Sequence, residues 1–304
     1  MIHIEGKISK LLILTGLCLL FGGIFALGGI ALAKVIYGVS IQEVTDLMNI
    51  DKQAQNIQVL KFLQIFNTLG IFLIPSFLFM FLFIKNPLQE VGLKKSIDFT
   101  NIIGIILLFI TLIPLINYMV ALNGKLQLPE SLTSLEVWMR ASEEKAAQLT
   151  KIFLKMEGWG DLSFNIFLIA ILPAISEELL FRGVVQKVIN KNLQNKHIGI
   201  WISAILFSAV HMQFFGFLPR MVLGAFFGYL LVWTGSLWAP ILAHFLNNGM
   251  AVLLYYFLGD KTMENEVDQL GASEGTYSYT ILALIIFSGL IYFFYQYNKK
   301  SQNV

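Results

Sequence analysis

Ser176-Glu177-Glu178-Leu179-Leu180-Phe181-Arg182 sets two adjacent carboxylates and a guanidinium inside a segment otherwise fit for lipid. An ionisable side chain at the centre of a bilayer costs roughly 3 kcal/mol on insertion scales, so three in one span point to a use for them. The rest of the chain agrees that the surroundings are lipid. Of its 304 residues 57% are hydrophobic and 13% charged, where a soluble domain carries about 25% charged residues. The apolar residues come in blocks long enough to cross a bilayer as helices. The expected fold is therefore all-α, a polytopic membrane protein of about eight transmembrane helices.

Outward from the acidic run, the blocks fall in order. The first lies between Lys10 and Lys34. It is longer than the apolar core of a signal peptide, despite the cleavage-like Ala31-Leu32-Ala33, so a retained helix is expected. The second lies between Lys61 and Lys85, and the third spans 101–122 with Pro114 and Asn117 inside it. The connector 123–160 contains a Glu-, Lys-, Ala- and Leu-rich stretch from Leu135 to Met156 that reads as an amphipathic surface helix. The fourth block starts near Leu162 and carries the acidic run to about Asn190. A fifth spans 198–218 and holds His211. A sixth spans 219–234, with Pro219, Arg220 and a Gly224/Gly228 pair suited to close helix packing. The seventh, 236–258, holds Pro240, His244, Asn247 and Asn248, and the eighth spans 277–295.

Eight helices put both termini on one side. The 182–197 connector has Arg182, Lys187, Lys191 and Lys196 and no acid, whereas 259–276 has five acidic residues and one lysine. The positive-inside rule then places the termini in the cytoplasm, in what is expected to be a bacterial inner membrane. The formal charge of +2 gives no sign of nucleic acid, and the single cysteine, Cys18, excludes an internal disulfide or a cysteine zinc motif.

The polar residues of the apolar blocks suggest a meeting point. Glu178 and Arg182 are four apart and can pair along one face. Glu177 is turned about 100° from Glu178 and can face a cavity between helices. Pro173 lies four residues before Glu177 and removes the helical bond to the carbonyl of Ile169. His211 follows Phe207 by one turn, and His244 precedes Asn248 by one turn. Of the four histidines only these two lie in apolar blocks; His3 sits in the N-terminal tail and His197 is expected in a loop. A carboxylate in an apolar cavity holds its proton more tightly and suits general-base work on water. Histidine and asparagine can steady the water, the leaving amine or a developing oxyanion. Two histidines and a glutamate, His211, His244 and Glu177, could equally bind zinc, though no H-E-x-x-H is present. If the helices start at the basic connectors, His211 and His244 differ in depth by about 8 Å, which the structure must reconcile.

Glu177-Glu178-x-x-x-Arg182, Phe207-x-x-x-His211 and His244-x-x-x-Asn248 resemble, in order, the three signatures of the CPBP (CAAX protease and bacteriocin-processing, or ABI) intramembrane endopeptidases. The resemblance covers about 170–250. It implies a fold similar to the type II CAAX prenyl endopeptidases, with three spans and the amphipathic connector in 1–160 and a catalytic core of about five spans in 161–304. It implies that Glu177 and His211 activate water, that His244 and Asn248 support the oxyanion, and that Glu178, Arg182 and Phe207 hold the site together. The family has been described both with and without a metal; no cofactor is expected to be required. The implied partners are the lipid bilayer and a peptide or protein substrate, lipidated in the CAAX relatives. A non-catalytic immunity or scaffold protein on the same fold, or a proton-coupled transporter, are the alternative readings.

Overall fold

The computed structural model describes residues 7–46, 56–259, 267 and 269–302. His3, and residues 260–266 and 268 of the acidic connector, lie outside the described residues. Regular structure among the described residues is helical. In chain order the helices are α1 Lys7–Tyr37, the short α2 Ile41–Asp46, α3 Ile57–Phe83, the single turn α4 Pro87–Glu90, α5 Phe99–Gly124, α6 Thr133–Leu154, α7 Trp159–Lys191, α8 Lys196–Ala209, α9 Phe217–Thr234, α10 Trp238–Leu258 and α11 Tyr277–Gln302. Seven of these, all but α2, α4, α6 and α8, are long and apolar enough to cross a membrane. The protein is an all-α polytopic membrane protein, and α8 is an eighth apolar helix without the length of a span.

The fifth apolar block accounts for that difference. It was expected to run helical to residue 218, but its helix stops at Ala209 after 14 residues, about 21 Å at 1.5 Å per residue. The chain then turns through 210–216, with Met212 in the left-handed region at φ 52°. α9 returns antiparallel along α8, as the pairings of Ser208 Oγ with the Phe217 carbonyl and of His197 Nδ1 with Tyr229 Oη show. His197 thus lies in the first turn of α8, capped by Asn195, and not in a loop.

At the end of the bundle carrying the basic connectors, two turns lock together. The Leu237 amide donates to the Gly92 carbonyl at 3.1 Å, Trp238 Nε1 donates to the Leu93 carbonyl at 3.0 Å, and Ser236 Oγ donates to the Lys95 carbonyl. Gly92 sits at φ +86°, and a Cβ there would come 2.9 Å from the Gly235 carbonyl oxygen, so only glycine fits. Asp98 caps α5 by accepting from the Asn101 amide, and Asn298 near the C-terminal end of α11 donates to Asn101. The opposite end carries α6, which packs Trp138 against Phe214 and lays Arg140 over the Phe215 ring.

α7 is the axis of the molecule. Its residues Leu180, Phe181, Val184 and Val185 join Leu14 of α1 and Phe79 of α3 in one apolar cluster. A second cluster binds α5, α9, α10 and α11. α7 is not a regular α-helix: it passes through π turns at Ile166–Ile171 and Leu179–Val185, on either side of the acidic pair. Such turns recur at functional sites because they re-aim the side chains they carry. The outer faces of α1 and α11 expose Leu19, Leu20, Leu27, Ile281, Ile285 and Phe293 in the manner of a lipid boundary.

Candidate active site

The two glutamates divide their partners. Glu178 is fully buried; its Oε1 accepts from Arg182 Nη1 at 3.0 Å and from His244 Nδ1 at 2.9 Å. Glu177, one residue earlier and turned away, approaches the other histidine, with Oε2 3.8 Å from His211 Nε2. Each imidazole therefore has its own carboxylate, which disposes of the depth mismatch. His211 lies past the end of α8 on the turn, and its ring folds back to place Nδ1 2.7 Å from the Phe207 carbonyl. His244, nearer the basic end, stacks on Phe227 with centroids 5.3 Å apart.

Arg182 organises the layer behind the cavity. Its Nη2 donates to the Gly224 carbonyl at 2.9 Å, and its guanidinium lies 4.4 Å from the Phe207 ring centroid. One turn on, Gln186 donates to the Gly228 carbonyl at 3.3 Å. The Gly224/Gly228 pair thus serves two purposes: it lets α9 close on α8, and it opens its carbonyls to α7. A Cβ on Gly224 would come 3.1 Å from Arg182 Nη2 and 3.2 Å from Phe207.

The proline at 173 acts as its position implies. Without its N–H, the Ile169 carbonyl lacks the usual α-helical donor. Asn248 of α10 supplies one, from Nδ2 at 3.0 Å. Because a carbonyl can only accept, the Asn248 nitrogen must face it, and Oδ1 is then free to accept from Asn247 at 3.0 Å. The second Nδ2 hydrogen points at His244 Nε2, 3.3 Å away. Nε2 accepts there, so the His244 proton resides on Nδ1, toward Glu178. The same logic assigns the His211 proton to Nδ1, toward the Phe207 carbonyl, and leaves a lone pair on Nε2 facing Glu177.

Glu177, His211, His244 and Asn248 line one cavity of about 420 Å³ together with Phe207, Phe227 and Arg220. Glu177 and His211 are the more open pair, their side chains 12% and 28% exposed against 5% for His244. Among the described residues Glu177 Oε2 has no hydrogen-bond partner. The cavity also touches Thr150 and Leu154 of α6, Val120 of α5 and Ala251 of α10. It therefore lies toward the α6 end of the bundle, and the Glu178–Arg182–His244 layer separates it from the basic connectors.

Glu177, His211 and His244 are the set that would hold zinc if a metal were bound. Among the described residues no three His, Cys, Asp or Glu side chains are gathered closely enough to hold a metal ion. His244 turns Nδ1 to Glu178 and Nε2 to Asn248, so in this arrangement the set does not fit zinc. Arg220 is the cavity residue to which sequence reasoning gave no role, although a lone arginine in an apolar block was signal enough to single it out.

Comparison with known proteins meets the same stretch of chain. The family model "Type II CAAX prenyl endopeptidase Rce1-like" matches residues 159–250. The uncharacterized protein YpbD of Bacillus subtilis (strain 168) is 33% identical over 86 residues, which are 27% of this chain and 41% of that protein. The match thus spans less than half of that relative's length. No solved structure gives a significant match. The matched segment contains α7 to most of α10, all three motifs and most of the cavity wall; over residues 159–250 the chain is similar to the Rce1-like type II CAAX prenyl endopeptidases.

Proposed function

We propose that the protein is an intramembrane endopeptidase that hydrolyses a peptide bond with a water molecule held between Glu177 and His211. The observation that carries this reading is the 3.8 Å separation of Glu177 Oε2 and His211 Nε2. That is too long for a direct hydrogen bond and suits one bridging water. Both atoms are acceptors, so the water donates both hydrogens to them and turns its lone pairs toward the cavity. Its oxygen attacks the scissile carbonyl carbon while one proton passes to Glu177. The C–N bond then breaks, and that proton goes to the departing amine.

The oxyanion formed in between needs donors. Asn248 meets it by exchanging its longer bond, the 3.3 Å contact to His244, while the 3.0 Å bond to Ile169 keeps the amide in place. His244, held by the Glu178 carboxylate through Nδ1, supports the oxyanion through Asn248. Arg182, Glu178 and Phe207 fix the orientation of this pair. The family match supports a peptide substrate of the CAAX type; a bacteriocin-related peptide is the other substrate that the three motifs suggest. No step requires a metal or cofactor.

The test is peptide cleavage by purified protein and by Glu177→Gln. Loss of the general base lowers turnover by about a hundred- to ten-thousandfold, with melting temperature and helix content retained. Unchanged turnover in the variant would end the hydrolytic reading. A wild-type biological effect that survives Glu177→Gln but not substitutions in α6 would favour a non-catalytic immunity or scaffold role.

A further inference from the structure

We propose that a second cavity, apart from Glu177 and His211, holds the headgroup of a phospholipid that carries a primary amine, of the phosphatidylethanolamine class. The proposal does not depend on the hydrolytic reading. The cavity measures about 580 Å³ and lies among the end of α1, the start of α3, the link from α6 to α7 and the first turns of α7. It shares no lining residue with the Glu177 cavity. Its charged residues are Lys61, Lys155, Glu157 and Asp161. Lys61 is only 7% exposed, a cation enclosed by protein. Four residues beyond the start of α3, it lies about 6 Å along that helix. Asp161 is the carboxylate whose charge reaches it, but among the described residues no ion pair closes on its ammonium. A buried charge without a partner is costly, and an ionisable group inside a span marks a site of function.

Position and charge choose the ligand. The cavity lies where the spans meet water. Tyr37, the last residue of α1, packs edge-on against Phe62 with centroids 5.6 Å apart. Trp159, the first residue of α7, packs against Tyr256 and Phe257 at the end of α10. A belt of such aromatics marks the depth of lipid headgroups. Further into the bilayer, Leu32 and Val35 of α1 and Phe167 of α7 are exposed, an apolar surface for acyl chains. The two lysines and two carboxylates give the lining no net charge. A plain anion drawn to Lys61 meets Asp161, and a plain cation drawn to Asp161 meets Lys61. A phosphate two carbons from an ammonium answers both. The phosphate pairs with the enclosed Lys61, and the ammonium with the exposed Asp161 and Glu157. Asp161 is held in place for that contact: its Oδ2 accepts from the Glu157 amide at 2.9 Å, which leaves Oδ1 for another donor. A carboxylate accepts N–H bonds, which a primary ammonium donates and a quaternary one does not, so ethanolamine fits where choline does not.

The experiment titrates the purified full chain, stripped of lipid in detergent, with palmitoyl-oleoyl phosphatidylethanolamine and with the phosphatidylglycerol and phosphatidylcholine of the same chains. Bound lipid is counted by native mass spectrometry. The ethanolamine lipid is expected to bind about tenfold tighter than the other two, the range of one charge-assisted contact. Lys61→Met should abolish that tight site without lowering the melting temperature of the lipid-free protein, because it removes a charge that only the lipid completes. Asp161→Asn, whose side-chain oxygen can still accept from the Glu157 amide, should bind phospholipid but lose the preference for ethanolamine over glycerol. Equal affinity for the three lipids, or a preference that survives both substitutions in folded protein, would overturn the proposal. So would a Lys61→Met protein that melts lower without lipid and binds the ethanolamine lipid as wild type does, which makes the lysine a structural group. Water-soluble glycerophosphoethanolamine at the lipid's concentration should not compete; if it does, the cavity belongs to a soluble phosphate and the lipid assignment fails.

Discussion

Glu178 accepts from a guanidinium and an imidazole through one oxygen while sealed from solvent, so its charge is tolerable only while both partners remain. Arg182→Met keeps much of the volume but leaves that carboxylate with a single, titratable partner. Breaking a buried pair from one side costs about 3–5 kcal/mol, so the variant should show a sharply lowered midpoint of thermal unfolding in detergent. A midpoint within two degrees of wild type would show that the Arg182 charge is compensated elsewhere. At this scale much of the site was legible. The four-residue spacing paired Glu178 with Arg182, the 100° offset sent Glu177 elsewhere, and Pro173 announced a freed Ile169 carbonyl. The partner of that carbonyl, Asn248, and the pairing of His244 with Glu178 were not legible, because spacing within a helix says nothing about the register between helices. Arg220 shows the converse: its signal was present, and only the cavity gave it meaning.

At the scale of elements, the packing of α9 on α8 and α7 depends on two missing side chains. A Cβ on Gly228 would lie 2.7 Å from Gln186 Oε1 and 2.9 Å from Ile200 Cγ2. Gln186 can swing its end aside, but a branched side chain on a rigid helix cannot. Gly228→Ala should therefore cost about 1–3 kcal/mol through overpacking, and Ile200→Ala in the same chain should recover part of it in a melting experiment. α6 offers a test of a different kind. Glu136 accepts from the Leu128 amide at 2.8 Å and from Arg140, and these bonds hold its carboxyl below the usual carboxylate range. A carboxyl more acidic in the folded state contributes stability above its unfolded pKa of about 4.3, which is lost as pH falls through the lower, folded value. Amide-exchange protection at Leu128 should therefore be intact near neutrality and fall below about pH 4, an effect absent in Glu136→Gln. The amphipathic reading of 135–156 came close to the helix at 133–154 because its pattern is local. The early stop of α8 did not show, since Val210–Leu218 is as apolar as a span and the break is made by tertiary bonds. Asn123 donates to the Phe214 and Phe215 carbonyls, and Glu143 accepts from the Phe215 amide.

For the whole molecule, the position of the cavity and the distribution of charge decide from which side a substrate arrives. The connector between α7 and α8 and the end of α11 are basic, with Lys187, Lys191, Lys196, Lys299 and Lys300. They share one end of the bundle with the locked turns at Gly92 and Leu237. The positive-inside rule leads us to expect that end on the cytoplasmic side. The cavity lies on the other side of the Glu178–Arg182–His244 layer, bounded by Thr150 and Leu154 of α6. The expected entry for a peptide is then from beneath α6, on the non-cytoplasmic face. Cys18 is the single native cysteine, so a Cys18→Ser background makes every introduced thiol unambiguous. In intact cells a membrane-impermeant maleimide should label Thr150→Cys and spare Lys94→Cys, both at exposed positions. Prior binding of a peptide substrate to the Glu177→Gln protein should slow labelling at Thr150→Cys by about tenfold and leave Lys94→Cys, labelled after lysis, unaffected. Labelling of Lys94→Cys in intact cells would invert the orientation and bring the cavity to the cytoplasm. Labelling of Thr150→Cys that is indifferent to peptide would move the entrance away from α6, to the lipid-facing seams of the bundle.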